Sequence, residues 1–374
     1  MTTPREHVLG YNPCMRMLAL LLFLFSVSLN AMPPEFDLAQ QAAAEGRYQD
    51  VTKILSEIIA GDSLTREDTA IAYSNRGIAF SLMNDYPAAK RDLNEAIRLN
   101  PSHQLSLNHL GILAEHVEQD IAAAAEWYGR ASDLGYPASM VNLGNLKRSG
   151  RLDRAANAEA FLLFQRAWEL GYETALAPLG EMYLHGRGVS KDTEKGLGLL
   201  KMAVEAGQIT AHYELGWAYE NGVGVDRDYR RAAEHYRLAA IEGHAASQGA
   251  LGYLYRRGHG FKKNFVEAAR WYRLAAEQGD VTAANRLAWI MSTCPVREVC
   301  NGRVAKEFAQ LAVTADPSAT NLDSLAAAHA RVGEFDEALA VIEELLSEQE
   351  LSPSARAKYA RRIVRYRNGI PFQL

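Results

Sequence analysis

Apolar and small residues recur along this chain at steps of three and four residues. Within residues 231–240 and 267–276, for example, alanine, tyrosine and leucine return at that spacing. Such a period places these side chains on one face of an α-helix. No stretch alternates apolar with polar residues long enough to predict a strand. The sequence therefore predicts an all-α protein built from amphipathic helices.

The helical pattern is itself repeated along the chain. Leu-Gly pairs start at Leu110, Leu143, Leu179, Leu215 and Leu251, and Leu287-Ala288 completes the series. The last four intervals are each 36 residues. In the clearest units a Gly-x-Gly segment follows the pair, and a second apolar period follows that segment. Each repeat is therefore predicted to be two antiparallel helices joined by a glycine turn.

Two local signals support this interpretation. Asp192, Asp228 and Asn264 are 36 residues apart and stand where an N-cap should begin each second helix. The glycine of each Leu-Gly pair costs about 1 kcal/mol inside a helix, so its recurrence needs a reason. We expect close helix packing, with Gly216 facing small residues of the partner helix such as Ala239.

The motif Leu-Gly-x-x-Tyr, Gly-x-Gly-Val, Ala-Ala-x-x-Tyr-x-x-Ala-Ala-x-x-Gly resembles the Sel-one-like repeat, a longer relative of the tetratricopeptide repeat. The resemblance covers residues 103–290. Residues 35–102 and 305–374 resemble tetratricopeptide repeats, the latter ending in a capping helix, and a hairpin around Gly46 caps the N-terminal end. The resemblance implies a right-handed superhelical solenoid of antiparallel helix pairs.

The first 31 residues differ from the rest of the chain. Arg16 precedes the apolar run 17–25, and small residues continue to Ala31. This pattern predicts a secretory signal and hence a periplasmic or secreted protein. The run is shorter than the ~20 residues that span a bilayer, so we expect no stable membrane span after cleavage. Retention of the segment as an anchor stays open, as does Met15 as the true start.

Cys294 and Cys300 lie in a predicted loop, residues 291–304, whose proline and Asn-Gly residues let its ends meet. An exported chain favours a disulfide between them. The alternative is a redox-active pair. However, the spacing is not Cys-x-x-Cys, and no neighbouring lysine or histidine is present to lower a thiol pKa.

Charge and motifs narrow the function. A net charge of −5 gives no basic field for phosphates, so nucleic acid is not an expected partner. The chain has no phosphate-binding Gly-Lys-Ser/Thr, no Gly-x-Ser-x-Gly and no His-Glu-x-x-His motif. We therefore expect no catalysis, no cofactor and no metal. The basic residues Lys358, Arg361, Arg362 and Arg365 share a helix face that we interpret as solvated; docking of an acidic partner is the alternative.

In tetratricopeptide relatives, the first helix of each pair lines the concave groove. Directly after the Leu-Gly pair, or after Leu287-Ala288 in the last unit, the first helices here carry Trp217, Tyr253 and Trp289. The other predicted groove residues are Tyr213, Glu220, Arg256, Asn108 and Glu181. Large aromatic and arginine side chains are typical of recognition surfaces, although packing between repeats could also account for them.

These features predict a non-catalytic periplasmic scaffold that mediates protein–protein interaction through its groove, with a protein or peptide as partner. The alternative is a saccharide-binding adaptor in envelope polysaccharide or peptidoglycan handling, in which the aromatic side chains would stack on sugar rings. The two alternatives differ in what they need, because a peptide requires charge complementarity along the groove and a glycan depends on the aromatics.

Overall fold

The computed structural model describes residues 34–61, 64–152, 156–348 and 351–373. The predicted secretory signal lies outside these residues. Within them the secondary structure is helical and contains no strand, which confirms the all-α prediction. No helix in the described part is both long and apolar enough to cross a bilayer.

The helices begin with α1 (Pro34–Ala44), α2 (Tyr48–Ala60), α3 (Arg66–Leu82), α4 (Tyr86–Leu99), α5 (Gln104–Leu113), α6 (Ile121–Asp133), α7 (Pro137–Arg148), α8 (Asn157–Glu169), α9 (Leu176–His185) and α10 (Thr193–Glu205). They continue with α11 (Ile209–Asn221), α12 (Tyr229–Ile241), α13 (Ala245–Arg257), α14 (Phe265–Glu277), α15 (Val281–Thr293), α16 (Gly302–Ala315), α17 (Ala319–Arg331), α18 (Phe335–Glu348) and α19 (Pro353–Arg367). A π-helical turn, Ala114–Glu118, extends α5.

The chain divides into two compact units. The first unit comprises the chain up to Met182 together with the segment Gly186–Ser190. The second unit comprises Tyr183–His185 and the chain from Lys191 onward. Within each unit, helices that follow one another in sequence pack against one another, as in solenoids of helix pairs. The odd-numbered helices from α5 to α17 are the first helices of their pairs, and the even-numbered ones from α6 to α18 are the second helices.

An aromatic ring on the second helix covers the recurrent glycine of the first. A Cβ atom added to Gly216 would lie 2.7 Å from Cδ1 of Tyr236, too close for the ring to stay in place. The same relation joins Gly111 to Tyr128, Gly144 to Phe164 and Gly252 to Tyr272. Close packing is therefore confirmed, but the expected partner Ala239 was wrong: the glycine provides room for an aromatic face.

The predicted turns and caps are present. Gly222 and Gly224 have φ angles of 68° and 69°, a left-handed conformation that glycine adopts without steric cost. The side chain of Asp228 accepts hydrogen bonds from the backbone N–H groups of Arg230 and Arg231 and so begins α12. Asp192 and Asn264 cap α10 and α14 in the same way.

Cys294 and Cys300 form a disulfide, with their Cα atoms 4.9 Å apart. Cys294 ends α15, and α16 starts at Gly302 just after the second cysteine. The bond therefore closes the connection between the two helices of one pair.

Replacing both cysteines with serine should lower the free energy of unfolding by about 2 kcal/mol, because the bond restricts the unfolded chain only over a short loop. Urea denaturation of the two proteins measures the difference. Non-reducing peptide mapping should show the two cysteine peptides linked in the unaltered protein. Free thiols at both positions, with equal stability of the two proteins, would contradict this prediction.

The basic face expected on α19 is only partly solvated. Arg361 and Arg365 are exposed, but Arg362 is 3% exposed and its guanidinium is hydrogen-bonded to the buried carboxylate of Asp323 in α17. Lys358 reaches the same carboxylate, with Nζ 2.8 Å from Oδ2. The solvated interpretation was wrong for Arg362, which is an internal ion-pair partner.

Candidate binding face on the first helices

Trp217 on α11 is half-buried and packs against the end of α9. The ring of His185 lies 4.5 Å from the tryptophan ring, edge to face. Nε2 of this histidine is 2.8 Å from a carboxylate oxygen of Glu214. Trp217 therefore contributes to packing between first helices while part of its ring stays accessible.

Tyr253 on α13 lies among three guanidinium groups. Those of Arg256 and Arg257 are 5.6 and 5.7 Å from the ring centroid, and that of Arg286 on α15 is 5.4 Å away. A cation at that distance is attracted by the negative face of an aromatic ring. The half-buried tyrosine thus provides the ring in a cationic cluster on two neighbouring first helices.

Trp289 on α15 contacts the C-terminal part of the chain itself. The ring of Phe372 lies 5.7 Å from the tryptophan, and the guanidinium of Arg362 is 4.8 Å from the tryptophan ring and 4.4 Å from the phenylalanine ring. The backbone carbonyl of Phe372 accepts a hydrogen bond from Arg331 on α17 at 3.2 Å. The expected row of three equivalent aromatics therefore ends in an aromatic that the chain's own tail contacts.

Tyr213 and Glu220 on α11 contact the neighbouring second helix α12, and Tyr213 also contacts the residue that begins α13. The Tyr213 ring is 5.7 Å from that of Tyr236 and 5.3 Å from that of His244. Glu220 accepts a hydrogen bond from the Tyr236 hydroxyl at 2.7 Å. Burial, together with the neighbouring Glu220 charge, raises the pKa of Tyr236, so this hydroxyl stays protonated and donates. Both residues hold the ring that covers Gly216.

Asn108 and Glu181 belong to the first unit. Asn108 is 1% exposed and accepts hydrogen bonds from Ser139 and Asn142 of α7, so it cannot line an open groove as expected. Glu181 is half-buried and paired with Arg148 and Arg187. Its charge is therefore already balanced within the first unit.

The described residues contain no group of three or more histidine, cysteine, aspartate or glutamate side chains arranged to hold a metal ion. Two histidines form a pair on α11 and α12, in which Nδ1 of His212 is 2.9 Å from Nδ1 of His235. Burial lowers the pKa of His235 to about 4 and also lowers that of His212. The pair is neutral near pH 7, and one ring donates to the other.

Sequence reasoning missed three residues that lie on or contact the first-helix side carrying Trp217, Tyr253 and Trp289. Arg286 stands two positions before Ala288, in the register of Glu214, so aligning the repeats could have found it. Arg362 and Phe372 lie outside the 36-residue period, and no local pattern connects them with Trp289. We define the binding face as the side of α11, α13 and α15 that carries Trp217, Tyr253 and Trp289.

The Sel1 repeat family matches residues 106–136, 137–172, 174–208, 209–244 and 245–280, and the tetratricopeptide repeat family matches residues 70–103. The chain contains five Sel1 repeats and a tetratricopeptide repeat. The family matches confirm the repeat class expected from the sequence.

Solved structures agree with this assignment. A Sel1 repeat protein from Oxalobacter formigenes is similar at 25% identity, covering 65% of this chain and 100% of its own, with a TM-score of 0.55. A protective antigen of uropathogenic Escherichia coli with an SLR fold has 23% identity, covers 95% of this chain and 81% of its own, and gives the same TM-score of 0.55. The second likeness concerns the fold alone. A comparison with curated proteins gives no match.

Proposed function

We propose that this Sel1 repeat protein is a non-catalytic scaffold of the bacterial periplasm that binds an extended polypeptide along the binding face. Sel1 and tetratricopeptide repeat proteins are scaffolds for protein–protein interaction and are typically non-catalytic. A first-helix surface that carries half-buried aromatics beside arginines is suited to such a partner. The apolar run near the N-terminus and the disulfide between Cys294 and Cys300 support export to an oxidising compartment.

One observation carries the proposal. A non-helical segment of the chain, residues 370–373, lies beside Trp289. The segment places an aromatic side chain against Trp289 and Arg362, while backbone carbonyls of Pro371 and Phe372 accept hydrogen bonds from Arg365 and Arg331. Side-chain insertion combined with hydrogen bonds to main-chain carbonyls is how protein surfaces hold extended peptides. The accessible parts of Trp217 and Tyr253 extend the same kind of surface along α11 and α13.

The test is selection from a displayed library of random peptides against the unaltered chain. A Trp217→Ala/Tyr253→Ala variant should bind the selected peptides at least about tenfold more weakly, because buried aromatics at interfaces contribute about 2 kcal/mol or more. The matched control is Tyr229→Ala/Phe265→Ala, which removes two half-buried aromatics from the second helices α12 and α14. This control should bind as the unaltered chain does, and all three proteins should be compared by their melting curves.

Equal loss of binding in the two variants would contradict the proposed face. A parallel panel of envelope polysaccharide and peptidoglycan fragments tests the saccharide alternative. Binding of those fragments without any selected peptide would replace the peptide proposal with the saccharide one.

A further inference from the structure

Two half-buried cations on the binding face have no acidic partner. The guanidinium groups of Arg256 on α13 and Arg286 on α15 flank the ring of Tyr253 at 5.6 and 5.4 Å. Among the described residues, no carboxylate forms a salt bridge with either arginine. The two like charges beside one ring repel each other, so an anion bound between them would be stabilised by both.

Several other charged side chains on the first helices are ion-paired. The pairs are Glu115 with Arg151, Arg148 with Glu181, and Asp323 with Arg362 of α19. Arg331 donates instead to the carbonyls of Ser292 and Phe372. The positions of Arg256 and Arg286 differ from these because the chain supplies two cations and no counterion.

A second observation points to a ligand at the same place. Nε of Arg256 and the hydroxyl of Tyr272 are both buried, and neither makes a hydrogen bond of good geometry within the described part of the chain. A buried polar group without a partner costs about 1–3 kcal/mol, so an acceptor placed beside these two groups would be stabilised. Burial raises the pKa of the Tyr272 hydroxyl, and the charges of Arg286 and Arg256, together with looser hydrogen-bonding contacts from the same two side chains, oppose that rise. Both guanidinium groups therefore lie close to this hydroxyl.

We propose that Arg256, Arg286 and Tyr253 form a subsite for the carboxylate of an aspartate or glutamate side chain in the bound polypeptide. A guanidinium presents a planar set of donors that matches a carboxylate, and the Tyr253 ring packs against the methylene groups next to it. This inference rests on the proposed function, whose ligand class it specifies.

The position of the subsite favours a peptide as the source of the carboxylate. Arg286 precedes Trp289 by three residues on α15, which is less than one helical turn, or about 5 Å along the axis. The segment at 370–373, with its main-chain hydrogen bonds, lies beside that tryptophan. A peptide that continued this path towards α13 would bring a side chain to the two arginines.

The test uses the peptides selected by the unaltered chain, resynthesised with amidated C-termini so that only side chains carry carboxylates. Aspartate and glutamate should be enriched among them. Replacing the enriched acidic residue of the peptide with its amide should weaken binding by about tenfold or more to the unaltered chain. In an Arg256→Gln/Arg286→Gln variant the same peptide change should have almost no effect, which completes a double-mutant cycle.

The control variant is Arg230→Gln/Arg237→Gln, which removes two exposed cations from the second helix α12. It has the same net charge as the subsite variant, and the peptide change should weaken its binding as much as in the unaltered chain. Equal melting curves verify that both variants fold.

The inference is overturned if the selected peptides show no acidic excess, or if the peptide change weakens binding equally in all three proteins. In either case, peptides that the Trp217→Ala/Tyr253→Ala variant fails to bind would leave the proposed function intact. Selection of no peptide at all would overturn both proposals.

Discussion

Replacing Asp323 with alanine is expected to lower the free energy of unfolding by about 3–5 kcal/mol, because it leaves the buried guanidinium of Arg362 without a counterion. Asp323 and Arg362 are 4% and 3% exposed and belong to different helices, α17 and α19. The full cost of burying an unpaired charge then falls on the folded state. Chemical denaturation of the variant and the unaltered chain measures the loss.

Two controls separate this charge effect from simple loss of packing. A double variant, Asp323→Ala/Arg362→Met, removes both charges and should recover most of the lost stability, since apolar residues often replace buried ion pairs without cost. Lys358→Ala removes the third member of the group, whose side chain is 47% exposed, and should cost less than about 1 kcal/mol. A double variant no more stable than the single one would show that the pair is not the cause.

Adding one methyl group at Gly216 is expected to destabilise the protein by about 1–3 kcal/mol, although alanine is the better helix former. The new Cβ would lie 2.7 Å from the ring of Tyr236, and the hydroxyl of that ring is bonded to Glu220. The ring therefore cannot move away without breaking its hydrogen bond. Thermal and urea unfolding of Gly216→Ala measure the cost.

The matched control is Gly198→Ala in the interior of α10, where an added Cβ would meet no atom within 4 Å. This change should stabilise the protein by up to about 1 kcal/mol through helix propensity alone. The two glycine variants should therefore shift stability in opposite directions. A stabilising Gly216→Ala would contradict the packing explanation for the recurrent Leu-Gly pair.

Much of the fold could be predicted from the sequence because it depends on local, repeated signals. The N-caps at Asp192, Asp228 and Asn264 and the glycine turns are each specified within a few residues, and the period repeats them. The disulfide was predictable for the same reason, since Cys294 and Cys300 are close in sequence.

The predictions failed where a side chain depends on a distant part of the chain. The register placed Asn108 on the first-helix face, but Ser139 and Asn142 of another helix cover it. Arg362 was taken as solvated because the sequence around it shows only neighbouring cations, whereas its partner Asp323 lies 39 residues away. Likewise, nothing near Trp289 in the sequence indicates that Phe372 folds onto it.

Hydrogen–deuterium exchange of the chain, with and without one of the selected peptides, tests the proposed binding face most directly. The proposal predicts slower exchange of backbone amides in the first helices α11, α13 and α15, with the second helices α12 and α14 unchanged. Protection confined to α12 and α14, or to the first unit, would contradict it.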